Sequence, residues 1–254
     1  IKSGDKITAI DGKKTAGQTL EDVVAQIRGK EGTTVEIELK TVAGEVKTVR
    51  VIRSDIKLET VAGEMKNNKI GYIRIGMFNE NTGSDFIKKF HELEGQGMEG
   101  LVLDLRDNPG GLLGESVKVA ELMVPKGPIV SVTERSGKSV TEYSSLEKTK
   151  YPVAVIVNQG TASAAEIVAG ALQDTKAGKL FGTKTFGKGS VQAVSNLDES
   201  TGMKLTIARY YTPSGRSING TGIEPDVVIE AAGETGENQL TEAISYLEKE
   251  LVKK

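Results

Sequence analysis

Apolar residues along the chain change their period near residue 79. Before that point short alternating runs dominate. TVEIELK, residues 34–40, puts Val35, Ile37 and Leu39 on one face, the period of a half-buried strand. VKTVRVI follows across Ala43 and Gly44 as its partner strand. ITAIDG reads as a short strand entering a turn. TLEDVVAQIRGKEG reads as a helix capped by Thr19, with Leu20, Val23, Val24 and Ile27 on one stripe. Residues 56–78 read as strands again, KIGYIRIGMF most clearly.

Beyond residue 79, helical and extended patterns alternate. A helix over 84–94 shows Phe86, Phe90 and Leu93 on one face. LVLDL at 101–105, a loop and a helix near 114–123 come next. PVAVIV, 152–157, is a continuous apolar run of the kind a fully buried strand needs. After it, Ile167, Val168, Ala171 and Leu172 recur at helical spacing, and KLFGT, SVQAV and MKLTIARYY read as strands. This order predicts an α/β core with crossover connections. The polar stretch SGKSVTEYSSLEKTK reads as loops or an edge hairpin. The terminal ENQLTEAISYLEKELVKK aligns Leu240, Ile244, Leu247 and Leu251. That seam is too short for a coiled coil, so the helix is expected to dock on the chain's own core. The predicted organisation is 1–53, 54–235 and a terminal helix over 236–254.

Composition removes several functions. Thirty-three basic and 35 acidic residues leave a net charge of −2, so no global field recruits nucleic acid or acidic lipid. Aromatics are 4 % and Trp is absent, which argues against base-stacking platforms. No apolar run reaches about 18 residues, so no membrane-spanning helix is predicted. Cysteine is absent, which eliminates thiolate chemistry and Cys-based zinc sites. The start, IKSGDKI, shows no leader pattern. It reads as the interior of a domain, and any targeting or membrane-associating segment is expected to lie outside this sequence. His91 is the one histidine; it sits beside the apolar face of its helix and reads as a surface residue.

Three segments carry candidate chemistry. In NQGTASAAEI, Ser163 stands where a strand hands over to a helix. A hydroxyl there either caps backbone N–H groups or serves as a nucleophile, and Thr161 could supply the cap instead. In RDNPGGLL, Gly110 and Gly111 follow the carboxyl end of a strand. Adjacent glycines suit a phosphate nest, an oxyanion hole or a plain turn, and no P-loop pattern is present. Asp104, Arg106 and Asp107 read as a salt bridge and a loop carboxylate rather than metal ligands. In FGTKTFGKGSVQ, Lys188 lies between glycines, next to Phe186. Such a lysine is usually solvated or binds an anion. Held among apolar neighbours, a lysine is penalised in its charged form and becomes a competent base. Lys184, between Thr183 and Thr185, has less apolar cover.

NQGTASAAEI, followed by the lysine of TFGKGSVQ 25 residues after Ser163, resembles the carboxyl-terminal processing proteases, also called tail-specific proteases. RDNPGG before it and RYYTPSGRSINGTGIEPDV after it match in order and spacing. Ahead of these, GDKITAIDG, the helix ending in IRG and GTTVEIEL resemble the later part of a PDZ domain, without the strand and loop that receive a peptide carboxylate. Together the likeness covers nearly the whole chain. It implies an α/β core like that of the Clp proteolytic subunit and the crotonases, with a β-rich cap, preceded by a truncated α+β PDZ domain. It implies Ser163 as nucleophile, Lys188 as general base and Gln192 as the residue that orients the lysine. The N–H groups of Gly111 and Ala164 would form the oxyanion hole, with Gly110 the neighbouring alternative. TPSGR and GIEPD are expected to be structural.

The residues themselves agree with that transfer. Without cysteine and with one unpromising histidine, a nucleophilic serine needs a lysine or carboxylate base, and Ser-Lys dyads are a known variant of triad logic. Glu166, one turn after Ser163, reads as a structural partner. The expected activity is a serine endopeptidase that recognises and cleaves near the C-termini of proteins with apolar tails, using no metal or other cofactor. The family further implies an extracytoplasmic setting (periplasm, envelope or lumen) and homodimers through terminal helices. Two alternatives compete: a catalytically silent PDZ-containing peptide scaffold, and an acyl-CoA enzyme on a crotonase-like core. The latter explains the glycine pair but neither the serine nor the lysine.

Overall fold

The structure is a computed structural model. It describes residues 1, 4–54, 59–196, 201–233 and 235–253, with the backbone alone at 192–196 and 204. The chain divides into two compact units, Ile1–Leu58 and Glu59–Lys254.

The first unit comprises β1 (Lys6–Ile10), β2 (Lys13–Lys14), α1 (Leu20–Ile27), β3 (Thr34–Lys40) and β4 (Val46–Ile52). Its four strands form one antiparallel sheet in the order β2-β1-β3-β4. The strict alternation of β3 buries Val35, Ile37 and Leu39 with Ile10, and Val23 and Ile27 of α1 close over them. Thr19 and Asp22 form a capping box: Asp22 N donates to Thr19 Oγ1 at 3.2 Å, and Thr19 N donates to Asp22 Oδ2 at 3.1 Å. Two expectations are corrected here. Leu20 is 74 % exposed, because the apolar stripe begins a turn later, at Val23. The helix stops at Ile27, where Arg28 turns extended, rather than running on through the glycines.

The second unit contains β5 (Val61–Met65), β6 (Ile70–Ile75), α2 (Thr82–Gly95), β7 (Gly100–Asp104), α3 (Leu113–Glu121), β8 (Gly127–Glu134), β9 (Ser139–Ser144), β10 (Val153–Val157), α4 (Ala164–Asp174), β11 (Gly178–Gly182), β12 (Ser190–Asn196), β13 (Gly202–Tyr211), β14 (Val227–Val228) and α5 (Glu237–Val252). Six strands form the central sheet, β14-β11-β10-β7-β6-β5, parallel except for β5 at its edge. A second, antiparallel sheet runs β12-β13-β8-β9. The polar SGKSVTEYS stretch supplies β9, its edge strand and the hairpin partner of β8.

The layering follows from two-sided burial. Every residue of β7 and β10 is buried, as continuous apolar strands in a covered parallel sheet must be. Leu101, Leu103, Val153 and Val155 face the same core as Phe86 of α2, Val119 of α3 and Val168 of α4. Val102, Ala154, Ile156 and Phe181 face the opposite side, where Leu240, Ala243 and Leu247 of α5 pack. The terminal helix therefore docks on its own core. Each leucine so buried contributes on the order of 1.5–3 kcal/mol. The parallel strands aim their carboxyl ends at one edge, and all three motif loops begin there.

Candidate active site

In open α/β sheets the crevice outside the carboxyl ends of the strands is the usual ligand site. Here the loops after β7, β10 and β11 are sewn to one another at that edge. Ala162 N donates to Asn108 O at 2.9 Å, and Thr161 Oγ1 donates to Leu105 O at 2.8 Å. Asp107 and Asn158 exchange two bonds of 2.9 Å, from Asp107 N to Asn158 Oδ1 and from Asn158 Nδ2 to Asp107 Oδ1. Phe186 N reaches Thr161 O at 3.0 Å. Thr161 thus closes the loop and is not the cap of α4.

Ser163 occupies the tip of this assembly. Its φ of 55° and ψ of −119° lie where a residue with a Cβ is strained, by about 1–3 kcal/mol. Such strain persists only where the surroundings over-determine it. They do so here through the turn that hands β10 to α4. The loop carrying the glycine pair packs directly against it: a Cβ on Gly110 would come within 2.7 Å of Ser163 Cβ and 2.8 Å of Ala164 N.

Gly111 and Ala164 present their N–H groups for different reasons. Gly111 forms an isolated parallel bridge with Phe78, in which Phe78 N donates to Gly110 O at 2.9 Å and Leu112 N donates to Phe78 O at 2.8 Å. That pattern uses the groups on either side of Gly111 and turns its own N–H the other way. Ala164 is the first residue of α4, where an N–H has no acceptor within the helix. Gly111, Ser163, Ala164 and Lys188 all line one cleft of about 340 Å³, together with Leu112, Leu113, Ile167, Ser190, Val191 and Tyr210.

Glu166 joins the serine loop to the lysine loop. Its side chain is wholly buried. Oε2 accepts from Ser163 N at 2.9 Å and from Lys188 N at 2.8 Å. Oε1 accepts from Thr185 Oγ1 at 2.5 Å and Gly187 N at 2.8 Å. Thr185 in turn accepts from Ile223 N at 2.7 Å, which ties in the GIEPD segment. A buried carboxylate is tolerated only when its oxygens are satisfied in this way.

Lys188 is half-buried in the cleft. Its shelter is not Phe186, whose side chain is 67 % exposed. With Phe186 N held by Thr161 and Gly187 turning at a φ of 91°, the phenylalanine ring faces solvent. Apolar cover comes instead from the residues that share the cleft. Lys184 is exposed and pairs with Glu224 at 2.8 Å. Gln192 lies in β12 opposite Thr206, beside a register shift at Val191; its side chain lies outside the described residues. His91 is on the exposed face of α2, its Nδ1 2.6 Å from Glu94 Oε2. Asp104 and Arg106 form a buried ion pair that also accepts Tyr72 Oη at 2.8 Å, and Arg106 reaches the carbonyls of Thr235 and Gly236 at 3.0 Å, anchoring the entry to α5.

Two features of the cleft escaped the sequence reading. Glu166 was legible as a structural partner but not as the shared acceptor of both loops. Tyr210 carried no signal, because its approach to Ser163 depends on how β13 crosses the second sheet.

The model of peptidase family S41 matches residues 69–229. The chain is 43 % identical over 235 residues to a carboxyl-terminal-processing protease of Picosynechococcus sp., covering 90 % of this chain and 56 % of that protein. It is 40 % identical over 232 residues to the carboxy-terminal processing protease CtpA of Bacillus subtilis, covering 91 % of this chain and 50 % of the relative. The chain thus spans about half the length of the curated relatives it matches. Among solved structures, the photosystem II D1 C-terminal processing protease superposes with a TM-score of 0.65 at 35 % identity, over 91 % of this chain and 64 % of that one. The parallel sheet, the sewn loops and these matches agree: the chain belongs to peptidase family S41.

Proposed function

We propose that this chain is the peptidase part of a C-terminal processing serine protease, with Ser163 as nucleophile and Lys188 as general base. The observation that supports it best is Glu166, which holds the backbones of both residues on one oxygen while both line one cleft. A substrate tail lies extended in the cleft with its scissile carbonyl carbon against Ser163 Oγ. Lys188, as the neutral amine, takes the hydroxyl proton as the new C–O bond forms. The carbonyl π electrons move onto oxygen, and the N–H groups of Gly111 and Ala164 receive that charge. Collapse expels the amine, which takes the proton back from Lys188, and leaves an acyl-Ser163. Water, deprotonated by the same lysine, then attacks the acyl carbon; collapse breaks the bond to Ser163 Oγ, which takes that proton back from Lys188, and the shortened chain leaves as its carboxylate. Gln192 orients the lysine by accepting from its amine.

The family supplies the remaining parts of the reading. The first unit, with its α1 and alternating β3, is the later part of a PDZ domain, and the second has the Clp-like and crotonase-like core. Substrates are proteins with apolar C-termini, met on the extracytoplasmic side. Among the described residues no helix is long and apolar enough to cross a membrane. Dimers through terminal helices would use surfaces other than the Leu240–Leu247 seam, which is buried on its own core. The test has two parts. A fluorophosphonate probe should label the parent chain and not Ser163→Ala. A tagged protein with an apolar tail should be cut near its C-terminus, and a charged tail should slow the cut. Equal labelling of Ser163→Ala would refute the nucleophile.

A further inference from the structure

Tyr210 lines the cleft beside Ser163 and Lys188, and the steps above give it nothing to do. It is 2 % exposed. Its hydroxyl is buried and makes no hydrogen bond among the described residues. A buried polar group left unpaired costs about 1–3 kcal/mol, and phenylalanine would fill the same space without that cost. The hydroxyl therefore calls for a use.

Its position is fixed from both sides. Tyr210 N donates to Gly189 O at 3.1 Å, which registers β13 on the residue that follows Lys188. Across the strand Tyr210 pairs with Val132 of β8. The groups that act on the phenol are those of the site. Burial raises its pKa most, the Ser163 hydroxyl works in the opposite direction, and the Glu166 carboxylate raises it. The phenol is accordingly a donor through the neutral range. Of the cleft's polar side chains, the Ser163 hydroxyl is the one that acts on the phenol as a hydrogen-bonding group.

We propose that Tyr210 is a positioning residue for Ser163: its hydroxyl turns onto Ser163 Oγ and selects the rotamer that directs the serine proton to Lys188. The inference rests on the Ser163–Lys188 reading. Ser163 stands at the N-cap of α4 without a side-chain cap hydrogen bond, Glu166 N going to its carbonyl at 2.9 Å, so the turn itself leaves the serine rotamer to the walls of the cleft. A donor from the opposite wall supplies the missing constraint. It also leaves the unpaired hydroxyl satisfied in the reactive arrangement.

Tyr210→Phe removes the hydroxyl and keeps the ring. The second-order rate of Ser163 labelling by a fluorophosphonate is expected to fall roughly tenfold to a hundredfold. For a tagged peptide substrate kcat should fall in step and KM stay unchanged. The melting temperature should hold or rise, because no resting hydrogen bond is lost. A merely structural tyrosine would do the reverse, lowering the melting temperature and leaving the rate per folded molecule intact. Labelling of Tyr210→Phe at the parent rate overturns the proposal. If the parent itself is not labelled at Ser163, the dyad reading fails and takes this inference with it, a distinct result.

Discussion

Lys188 N and Ser163 N donate to the same oxygen, Glu166 Oε2, at 2.8 and 2.9 Å. The loop that carries the proposed base and the turn that carries the proposed nucleophile therefore share one buried acceptor. A displacement of either is transmitted to the other through a carboxylate that cannot move without leaving its remaining donors unpaired. Proximity of the two side chains is thus built into the backbone, and the side chains stay available for chemistry.

Glu166→Gln keeps the volume and breaks this arrangement. An amide offers one carbonyl oxygen, so its NH2 must face the donors that one carboxylate oxygen held. At the Oε2 position the NH2 would meet the N–H groups of Ser163 and Lys188, and at the Oε1 position the Gly187 N–H and the Thr185 hydroxyl; either way a buried N–H is left unsatisfied, at about 1–3 kcal/mol. The expected outcome is a lower melting temperature together with a loss of Ser163 labelling of at least tenfold per folded molecule. Thermal melting paired with probe kinetics checks it. Unchanged labelling would mean that the loops are held by their other bonds.

Gly110→Ala should be nearly inactive. The position has a φ of +95°, and the added methyl would meet Ala162 O and Ser163 Cβ at 2.7 Å. Backbone and Cβ atoms cannot yield as a flexible side chain can, so the loop must shift away from the serine turn. A stability loss on the order of 1–3 kcal/mol is expected from strain, with a larger effect on labelling than on folding. Parallel melting curves and probe kinetics separate the two.

Much of this was legible in the sequence because it is local. PVAVIV reads as a buried strand since both its faces are covered, and the serine and glycine-pair loops follow strands whose ends are visible in the pattern. What was not legible depends on contacts between distant segments. Phe186 looked like shelter for Lys188 by adjacency, but the bond from its N–H to Thr161 turns the ring outward. Besides Ser163 N, Glu166 finds its partners 19 to 22 residues on, mostly backbone N–H groups, which have no signature in side-chain identity. Thr161 could have supplied the cap by position, whereas its hydroxyl goes to Leu105 O across the sheet edge. Leu20 satisfied the helical spacing, yet only Val23 and Ile27 of this short helix pack on the sheet, and Leu20 lies before them at its exposed start.

Acid stability should depend on Asp174, at the end of α4. Its carboxylate accepts from Ser214 N at 3.0 Å, Ser214 Oγ at 2.6 Å and Arg216 at 2.8 Å, so the TPSGR segment is fastened to the helix that follows Ser163. Burial pushes this carboxyl up, but the Ser214 and Thr212 hydroxyls, the Ser214 N–H and Arg216 outweigh it and hold the pKa below its ordinary value. The folded state then binds the proton less readily than the unfolded chain. The stabilisation is complete above the ordinary carboxylate range, near pH ~4, and is lost as pH falls through the folded-state value. Asp174→Asn should destabilise by about 1–3 kcal/mol at neutral pH, and the gap to the parent should close as pH falls below that range. Denaturation at several pH values tests this; a constant gap would assign the effect to packing.

Substitutions at Lys188 separate catalysis from folding more cleanly than any other in the cleft. The bond that ties this residue to Glu166 comes from its backbone nitrogen, so it survives any change of side chain. Lys188→Ala should therefore melt close to the parent and lose activity by on the order of 10²–10⁴-fold, the range a general base contributes. Lys188→Arg should fail as badly, although it keeps length and charge, because a guanidinium does not give up its proton in water. Gln192→Ala should cost less, since orientation rather than proton acceptance is removed. His91→Ala is the control: its ring lies on the exposed face of α2 against Glu94, and its loss should leave the rate unchanged. Near-normal turnover in Lys188→Arg, or a dead His91→Ala, would move the base elsewhere. A Lys188→Ala variant that melts far below the parent would instead show that the side chain, and not the backbone bond to Glu166, fixes the loop.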